Sequence, residues 1–391
     1  MAQRERTSLR AITADIVQRD DARLCEHATP HSAAKRRRRE RTVLRSEFAR
    51  DRDRILYSDA YKRYAGKTQV VFLAARYDEH ISTRLLHTTY VSQVSRSIVK
   101  ALRLNFDLVE AIAVGHDLGH TPFGHDGEAV LDDLCREHGI GPFRHNVNSL
   151  WVVDQVASRS RGLNLTLQVR DGILCHDGES SRYRLRPSRR PRPPEEAYCS
   201  NGVFCRVNRA PATLEGCVVR LADSIAYLGQ DLEDAIRLGV VRRNQLPRGV
   251  TRRLGTRGSA IINNLIIDLV KSSHGRPEVG FSGETTRALL DLKAFNYEYI
   301  YHNKDIKKGL GRIRHAMRIV FEDLLLAAGA SDRKHLLYRH FLHNRSREYR
   351  EGTPPAVWAR DFIASMTDHY LVELFKRIAL PEERPSPLRD A

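Results

Sequence analysis

Apolar residues recur at helical spacing over most of this chain, and that periodicity restricts its fold more than any other feature. Val91, Val94, Ile98 and Ala101 follow one another at intervals of three, four and three residues, which places them on one helix face. A short turn around 104–107 separates this helix from a second apolar helix. The same spacing returns in four later segments, at 215–236, 261–270, 288–300 and 313–326. We therefore predict an all-α fold, built as a helical bundle.

Composition divides the chain into three regions. Residues 1–45 mix charged residues with Ser, Thr and Ala without lasting periodicity, so we expect a flexible basic arm with one short helix. The catalytic core is expected at 46–330. A basic, proline-containing insertion interrupts it at about 179–211, and the apolar part of that insertion, 202–207, could form a small hairpin. The remaining residues, 331–391, would hold C-terminal helices and a proline-rich tail.

The basic charge of the chain bears on its partners. A net charge of +17 attracts polyanions, which include nucleotides, nucleic acids and acidic membrane surfaces. The charge does not choose among them, and the basic clusters at 35–39 and 182–192 could equally be solvated loops. Single-stranded nucleic acid bound through the basic surface therefore stays open as a partner.

Three other classes of protein are not expected. No run approaches the roughly 18 apolar residues of a membrane span, and the first residues lack the apolar segment of a secretory signal. We therefore expect a cytoplasmic protein without a membrane partner. Six cysteines without a CxxC pair indicate neither a disulfide framework nor a standard zinc module.

The densest chemical signal lies between Gly115 and Glu128, where three His, two Asp and one Glu fall within fourteen residues. His116 and Asp117 end an apolar helix, and the glycines and proline that follow would break it, so both side chains should project from its C-terminal end. An imidazole beside a carboxylate suits a divalent cation of borderline hardness, because nitrogen and oxygen donors can bind one ion. A single His-Asp pair is weak support, since a second pair, at 176–177, is interpreted as a chance occurrence.

Two further residues complete a candidate metal site. His87 precedes an amphipathic helix, and Asp223 follows an apolar helical run. Tyr227 and Asp231, four and eight residues after Asp223, share its helix face. On its own, His87 would more often be a surface or core histidine than a ligand. Four ligands from three separate helices are the arrangement expected when a bundle core holds a metal: His87, His116, Asp117 and Asp223.

These residues also carry a resemblance. The order His87, His116-Asp117, Asp223 resembles the signature of the HD-domain phosphohydrolases. Five longer segments resemble, in order, the dGTPase-like branch of deoxynucleoside triphosphate triphosphohydrolases: YKRYAGKTQVVF, HDLGHTPFGHDGE, FRHNVNSLWVV, GLNLTLQVRDGILCHDG and RLADSIAYLGQDLEDAI. The similarity covers roughly residues 50–310. It implies an HD-domain fold and an enzyme that hydrolyses dNTPs, with dGTP as the first substrate to consider.

The resemblance implies a metal-assisted reaction. One divalent ion, Mn²⁺, Fe²⁺, Co²⁺ or Mg²⁺, would be bound by His87, His116, Asp117 and Asp223. It would polarise a phosphate oxygen and lower the pKa of a bound water, which attacks the α-phosphorus so that intact triphosphate leaves. His125 and Glu128 match catalytic positions that assist this reaction, and His120 matches a position near the phosphates.

The resemblance also implies contacts to the substrate. Arg84 is similar to a phosphate-contacting arginine, where a planar guanidinium suits phosphate oxygens. Gln69 matches a glutamine that senses the sugar 3′-hydroxyl. Tyr227 and Asp231 match a pair that packs under the deoxyribose and accepts its 3′-hydroxyl, which implies a deoxyribonucleotide.

Three further positions and an oligomeric state complete what the resemblance implies. Tyr301 and Lys304 resemble later sugar and phosphate contacts. His145 lies in FRHN, which is similar to the family's FEHN and would line the pocket, although Arg144 replaces the family's Glu. Members of the family are commonly homo-oligomers, so a tetramer or hexamer is expected.

Three functions stay open at this point. The chain could be a dNTP triphosphohydrolase, an HD phosphohydrolase acting on another nucleotide, or a nucleic-acid-binding protein that keeps an HD core. Gln69, Tyr227 and Asp231 favour the first, since they have no task unless a deoxyribose is bound. A nucleic-acid binder would lose affinity steeply as the salt concentration rises.

Overall fold

The computed structural model describes most of the chain, namely residues 9–40, 44–69, 82–178, 183–188, 193–205, 207, 209–303 and 309–380. Helices make up nearly all regular structure of that part: α1 (Leu9–Asp21), α2 (Glu47–Leu56), α3 (Asp59–Lys62), α4 (Arg84–Leu102), α5 (Phe106–Gly115), α6 (Gly124–Glu137), α7 (His145–Trp151), α8 (Ala157–Ser160), α9 (Leu167–Leu174), α10 (Leu214–Arg237), α11 (Arg248–Arg253), α12 (Gly258–Ser273), α13 (Gly283–Asn296), α14 (Leu310–Gly329), α15 (Arg347–Gly352), α16 (Pro355–Ser365) and α17 (Asp368–Ala379). The predicted all-α fold is confirmed.

Short elements connect these helices. Turns of 3-10 helix lie at His31–Ala33, Arg63–Gly66, Pro194–Ala197, Arg243–Gln245 and Leu342–Asn344, and π-helical turns at Val152–Val156, Tyr297–Tyr301 and Leu337–Phe341. Two short strands, β1 (Arg184–Leu185) and β2 (Val279–Gly280), pair antiparallel, with Arg184 opposite Gly280. In the segment expected to form a hairpin, Tyr198 and Phe204 make one isolated antiparallel bridge.

The turn between α4 and α5 follows directly from the local sequence. Arg103, in left-handed conformation with φ of 56°, caps the C-terminus of α4. Asn105 then caps the N-terminus of α5, because its side chain accepts a hydrogen bond from the backbone nitrogen of Leu108. The turn predicted at 104–107 is present but lies slightly earlier, at 103–105, because Phe106 already begins α5. Its tightness brings α5 back along α4, so the C-terminal end of α5 lies near the start of α4.

Three helices form the centre of the bundle. Helix α10 packs along α4, α5 packs against both, and α2 and α9 cover the outer side of α5. The apolar face of α5 is completely buried, with Val109 and Ile112 at 0% exposure. Burying side chains of this size stabilises a fold by about 1.5–3 kcal/mol each. This packing brings the start of α4, the end of α5 and the middle of α10 to one place.

The N-terminal residues are attached to this core. The carboxylate of Glu215, which is fully buried, accepts hydrogen bonds from the backbone nitrogen (2.9 Å) and hydroxyl (2.7 Å) of Thr29. Arg36 donates to Asp51 at 2.5 Å and also pairs with Glu47. Thr29 and Arg36, which lie in the segment expected to be a flexible arm, thus contact the core. Glu215 is 186 residues from Thr29, so local composition does not reveal that contact.

The C-terminal helices α16 and α17 pack on α14, and α16 also contacts α6. Asp368, the first residue of α17, accepts hydrogen bonds from the backbone nitrogens of Thr68 and Phe123, both at 2.9 Å. Residues 331–380 therefore touch the segment that precedes α6. Among the described residues, no helix combines the length and apolar composition needed to cross a bilayer.

Candidate active site

The four residues expected to bind a metal converge at the centre of the bundle. His87 lies in the first turn of α4, His116 and Asp117 follow α5, and Asp223 lies within α10. The Nε2 atom of His87 is 3.0 Å from Oδ1 of Asp223 and 3.9 Å from Oδ2 of Asp117. The Nε2 atom of His116 is 3.5 Å from Oδ2 of Asp117 and 3.9 Å from Oδ1 of Asp223. Two imidazoles and two carboxylates thus face one another.

The ring of His116 shows that this cluster can hold a cation. Its Nδ1 donates to the carbonyl of Ala113 at 2.7 Å, so Nε2 presents a lone pair to the cluster. That Nε2 atom is buried, and it has no hydrogen-bond partner among the residues that the structure describes. Burial lowers the pKa of His116 to about 4, so the ring is neutral at physiological pH.

Both carboxylates of the cluster are ionised. Burial on its own would raise the pKa of Asp117, but His116 and Arg84 hold it well below its usual range. Burial likewise opposes ionisation of Asp223, yet the hydrogen bond and charge of His87 lower its pKa to about 2. Two anionic oxygens beside two imidazole nitrogens are a donor set suited to a divalent ion.

Arg84 lies at the first position of α4, where Thr83 caps the helix by accepting a hydrogen bond from Leu86. Its guanidinium is buried and pairs with Oδ2 of Asp117, and a second nitrogen is 3.4 Å from the carbonyl oxygen of Gln69. A fixed guanidinium at the edge of the metal cluster is placed to meet a phosphate oxygen.

Glu128 organises a second cluster on α6 and α7. Its carboxylate accepts hydrogen bonds from the backbone nitrogen of His145 at 2.9 Å, from Nδ1 of His145 at 3.0 Å, and from Nδ1 of His125 at 3.2 Å. The ring of His120 stacks on that of His145, with centroids 4.5 Å apart. Burial lowers the pKa of His145, but Glu128 outweighs this effect and raises it to about 10. Burial keeps the pKa of His120 well below its usual range.

A third group of side chains lies on the other side of the metal cluster. The hydroxyl of Tyr301 donates to Oδ2 of Asp231 at 2.5 Å. Burial raises the pKa of Asp231 to about 7. Tyr227 lies one helical turn before Asp231, and Gln69 faces the same cavity. The side-chain oxygen of Gln69 is buried and has no hydrogen-bond partner within the described part of the chain.

One cavity of about 300 Å³ connects the three groups. Its volume is at the lower end of the range for small-molecule sites. His176 also lines it, with Nε2 at 3.6 Å from Oδ1 of Asp117 and at 3.3 Å from Nε2 of His145. The metal cluster and histidines line one end of the cavity, and Tyr227, Asp231 and Tyr301 line the other.

Comparison with known proteins agrees with this geometry. Residues 84–228 match the HD domain, and residues 279–377 match the phosphohydrolase-associated domain. A deoxyguanosinetriphosphate triphosphohydrolase-like protein of Caldanaerobacter subterraneus subsp. tengcongensis is 37% identical over 90% of this chain and 90% of its own length. The chain belongs to the deoxyguanosinetriphosphate triphosphohydrolase-like family.

Other members of the triphosphohydrolase-like family match over a similar span. The protein of Desulfatibacillum aliphaticivorans is 37% identical and covers 92% of this chain and 95% of its own length. Among solved structures, a hypothetical protein from Aquifex aeolicus aligns with a TM-score of 0.39 and 16% identity, over 77% of this chain and 69% of that one. That similarity is too low to add to the argument.

The structure of this triphosphohydrolase-like chain brings together nearly all residues singled out from its sequence. The cavity is lined by eleven of them: Gln69, Arg84, His87, Asp117, His120, His125, His145, Asp223, Tyr227, Asp231 and Tyr301. His116 and Glu128 contact residues of its wall, Asp117 and His145 respectively. Lys304 falls outside the described residues.

Sequence reasoning missed other residues of the cavity wall, of which His176 is the most informative. Its His-Asp pair is interpreted from sequence as a chance occurrence, although the ring lies between Asp117 and His145. This His-Asp pair lies at the end of GLNLTLQVRDGILCHDG, one of the segments that carry the family resemblance. That position could have indicated a role for His176 in the site. Arg220 and Lys293 also line the cavity without having been singled out.

Proposed function

We propose that this protein hydrolyses dNTPs, with dGTP as the first candidate, to a deoxynucleoside and inorganic triphosphate by attack of water on the α-phosphorus. The observation that carries the proposal is the single cavity on which the metal cluster, the Glu128 cluster and the Asp231–Tyr301 pair all open. A deoxyribonucleotide has a phosphate chain and a 3′-hydroxyl, and it could engage these groups at the same time.

The donor set supports one divalent ion held by His87, His116, Asp117 and Asp223. Such an ion, when bound, would polarise a phosphate oxygen and lower the pKa of a water molecule. Two imidazoles favour Mn²⁺, Fe²⁺ or Co²⁺ over Mg²⁺. Arg84 would bind a phosphate oxygen while its other contact keeps Asp117 in place.

The side chains beside the ion would handle the phosphates and the protons. Both ring nitrogens of His120 are buried without a hydrogen-bond partner among the described residues, so they are free to contact phosphate. His125 is the exposed member of the group, with 70% of its side chain accessible, and it can reach the leaving oxygen. Glu128 is positioned to orient His125, since their atoms are 3.2 Å apart.

The sugar end of the cavity supports a deoxyribose. Asp231 could accept the 3′-hydroxyl through Oδ1, which is buried and has no hydrogen-bond partner within the described part of the structure. The amide of Gln69 offers a second polar contact for the same hydroxyl. The ring of Tyr227 would pack against the sugar and crowd a 2′-hydroxyl, which favours dNTPs over ribonucleotides.

A product-resolved assay tests this proposal. The purified protein is incubated with each dNTP and each NTP in the presence of Mn²⁺, and the phosphate products are separated. We expect triphosphate and deoxynucleoside from at least one dNTP. Release of diphosphate or monophosphate would contradict attack at the α-phosphorus and favour an HD phosphohydrolase acting on another bond or nucleotide.

Asp117→Ala tests the metal set. We expect the variant to lose both bound metal, measured by elemental analysis, and triphosphate release. Asp133→Ala is the matched control, because this half-buried aspartate on α6 pairs with Arg314 and is not among the residues that line the cavity. Full activity of Asp117→Ala would mean that the metal assignment is wrong.

The net charge of +17 supports single-stranded nucleic acid as a second ligand on the basic surface. Binding of a labelled oligonucleotide, measured over a range of salt concentrations, should weaken by orders of magnitude from low to physiological salt. Affinity that does not depend on salt would contradict this role. We also propose a homo-oligomer, a tetramer or hexamer, for which light scattering of the purified protein is the direct test.

A further inference from the structure

The ring of His176 is oriented by the backbone of its own helix end. It follows α9, and its Nδ1 is 2.7 Å from the carbonyl oxygen of Ile173. A carbonyl oxygen only accepts hydrogen bonds, so Nδ1 carries a proton and donates it. That contact leaves Nε2 as the ring nitrogen that can accept a hydrogen bond. The ring is fully buried, at 1% side-chain exposure, and Nε2 faces the interior of the site.

The partner of that lone pair is His145. Nδ1 of His145 is 3.0 Å from each oxygen of the Glu128 carboxylate, which likewise only accepts, so Nδ1 is protonated as well. Nε2 of His145 lies 3.3 Å from Nε2 of His176. Two lone pairs would repel each other at this distance, so one of the facing nitrogens must carry a proton. The ion pair with Glu128 favours the proton on His145.

We infer that His176 is a positioning residue: its Nε2 accepts a hydrogen bond from Nε2 of His145 and fixes the ring between Glu128 and His176. The catalytic consequence rests on the proposed function. Glu128 holds one edge of the His145 ring and His176 holds the other, so the ring cannot rotate. The flat face of that ring supports His120, at a centroid distance of 4.5 Å and an interplanar angle of 22°.

The same contacts explain what loss of His176 would disturb. A freed His145 ring would change the surface on which His120 stacks, and it would alter the carboxylate of Glu128, to which His125 also bonds. Two side chains expected to meet the phosphates, His120 and His125, thus depend on one buried acceptor. Residues that orient the ligands of a metal site typically change activity about 10- to 100-fold when replaced, and we expect an effect of that size here.

If His176 were instead a ligand of the metal ion, its replacement would reduce the amount of bound metal. Nε2 of His176 is 3.6 Å from Oδ1 of Asp117, and His116, Asp117 and His176 are close enough together to share one ion. In the positioning role, metal content does not depend on this ring. A variant that lost the metal would overturn the proposal.

The test compares His176→Leu with His176→Gln, whose side-chain oxygen can replace the acceptor. We expect His176→Leu to bind Mn²⁺ at the wild-type level, to lower kcat about 10- to 100-fold and to change KM less than about threefold. His176→Gln should recover most of the lost kcat. Wild-type kcat in His176→Leu, or equal losses in both variants, would contradict the positioning role.

A double variant separates positioning from general damage. If His176 acts through His145, then adding His176→Leu to His145→Ala should lower kcat by less than about twofold beyond His145→Ala alone. Multiplying losses would show that His176 acts independently, against the proposal.

The hydrogen bond itself is measured without metal or substrate. In ¹⁵N-labelled, EDTA-treated protein, we expect both ring nitrogens of His145 to carry protons, and we expect the Nε2–H signal to shift or broaden in His176→Leu. The signal is assigned by its disappearance in His145→Gln. An unchanged signal would overturn the inference. If the wild-type protein released triphosphate from no dNTP, the proposed function would fail, and these spectra would still decide the contact between the two rings.

Discussion

Asp368 joins the C-terminal helices to the segment that precedes α6, and its removal should be costly. Its Oδ2 accepts hydrogen bonds from the backbone nitrogen (2.9 Å) and hydroxyl (2.5 Å) of Thr68. Its Oδ1 accepts from the backbone nitrogen of Phe123 at 2.9 Å. Phe123 has a left-handed backbone, with φ of 62°, and no side-chain cap for α6. The carboxylate therefore holds a strained junction directly before His125 and Glu128.

The magnitude follows from what Asp368→Ala leaves behind. Two backbone N–H groups and one hydroxyl would lose their acceptor in a site where Asp368 is only 5% exposed. Each buried donor left unpaired costs about 1–3 kcal/mol. Burial also raises the pKa of Asp368, so removing its charge returns part of that sum. We expect a net loss of about 2–4 kcal/mol in the free energy of unfolding.

Urea unfolding followed by circular dichroism measures this loss. Glu373→Ala on the same helix is the matched control, since the 2.7 Å pair of Glu373 with Lys376 is exposed and should contribute little to stability. Asp368→Asn keeps one acceptor oxygen but places an amide against a donor, so it should fall between the control and Asp368→Ala. A value for Asp368→Ala within about 1 kcal/mol of wild type would refute this account of the junction.

Three further perturbations follow from the structure. Gly119→Ala would place a methyl group 2.1 Å from the backbone nitrogen of Ser149, so we expect a loss of at least about 3 kcal/mol or failure to fold. Deleting residues 1–40 removes both Thr29 donors to the buried carboxylate of Glu215 and should lower the free energy of unfolding by several kcal/mol. Burial raises the pKa of Asp231 to about 7 in the folded protein, above its value of about 4 in the unfolded chain. The protonated carboxyl therefore stabilises the fold below pH 4, and this stability is lost as the pH rises through 7. Asp231→Asn should thus stabilise metal-free protein by up to about 4 kcal/mol at pH 8 and not at pH 4.

Unfolding experiments check each of these. Gly352→Ala, where an added methyl group meets nothing within 4 Å, is the control for the glycine variant and should be nearly neutral. A truncated chain as stable as the full chain would show that the N-terminal contacts contribute little. Equal stabilisation of Asp231→Asn at both pH values would mean that ionisation of this carboxyl is not the cause.

Local sequence was enough to predict much of the fold and the arrangement along each helix. The spacing of Val91, Val94, Ile98 and Ala101 depends only on contacts one turn apart. The first three are buried on α4 as predicted, whereas Ala101 is exposed and Leu102 is buried instead. The glycines and proline after His116 likewise marked the end of an apolar helix. Family resemblance in the five segments then selected the residues that the cavity brings together.

Only the tertiary structure decided the contacts between distant segments. Thr29 and Glu215 are 186 residues apart and His145 and His176 are 31 apart, and no periodic pattern links either pair. The identical dipeptides at 116–117 and 176–177 illustrate the limit. Both histidines contact Asp117, but Nε2 of His176 also lies 3.3 Å from His145, whereas Nε2 of His116 faces the metal cluster. Residue type and helical period depend on neighbours within a few positions, whereas the partner of a buried polar atom depends on how whole helices pack.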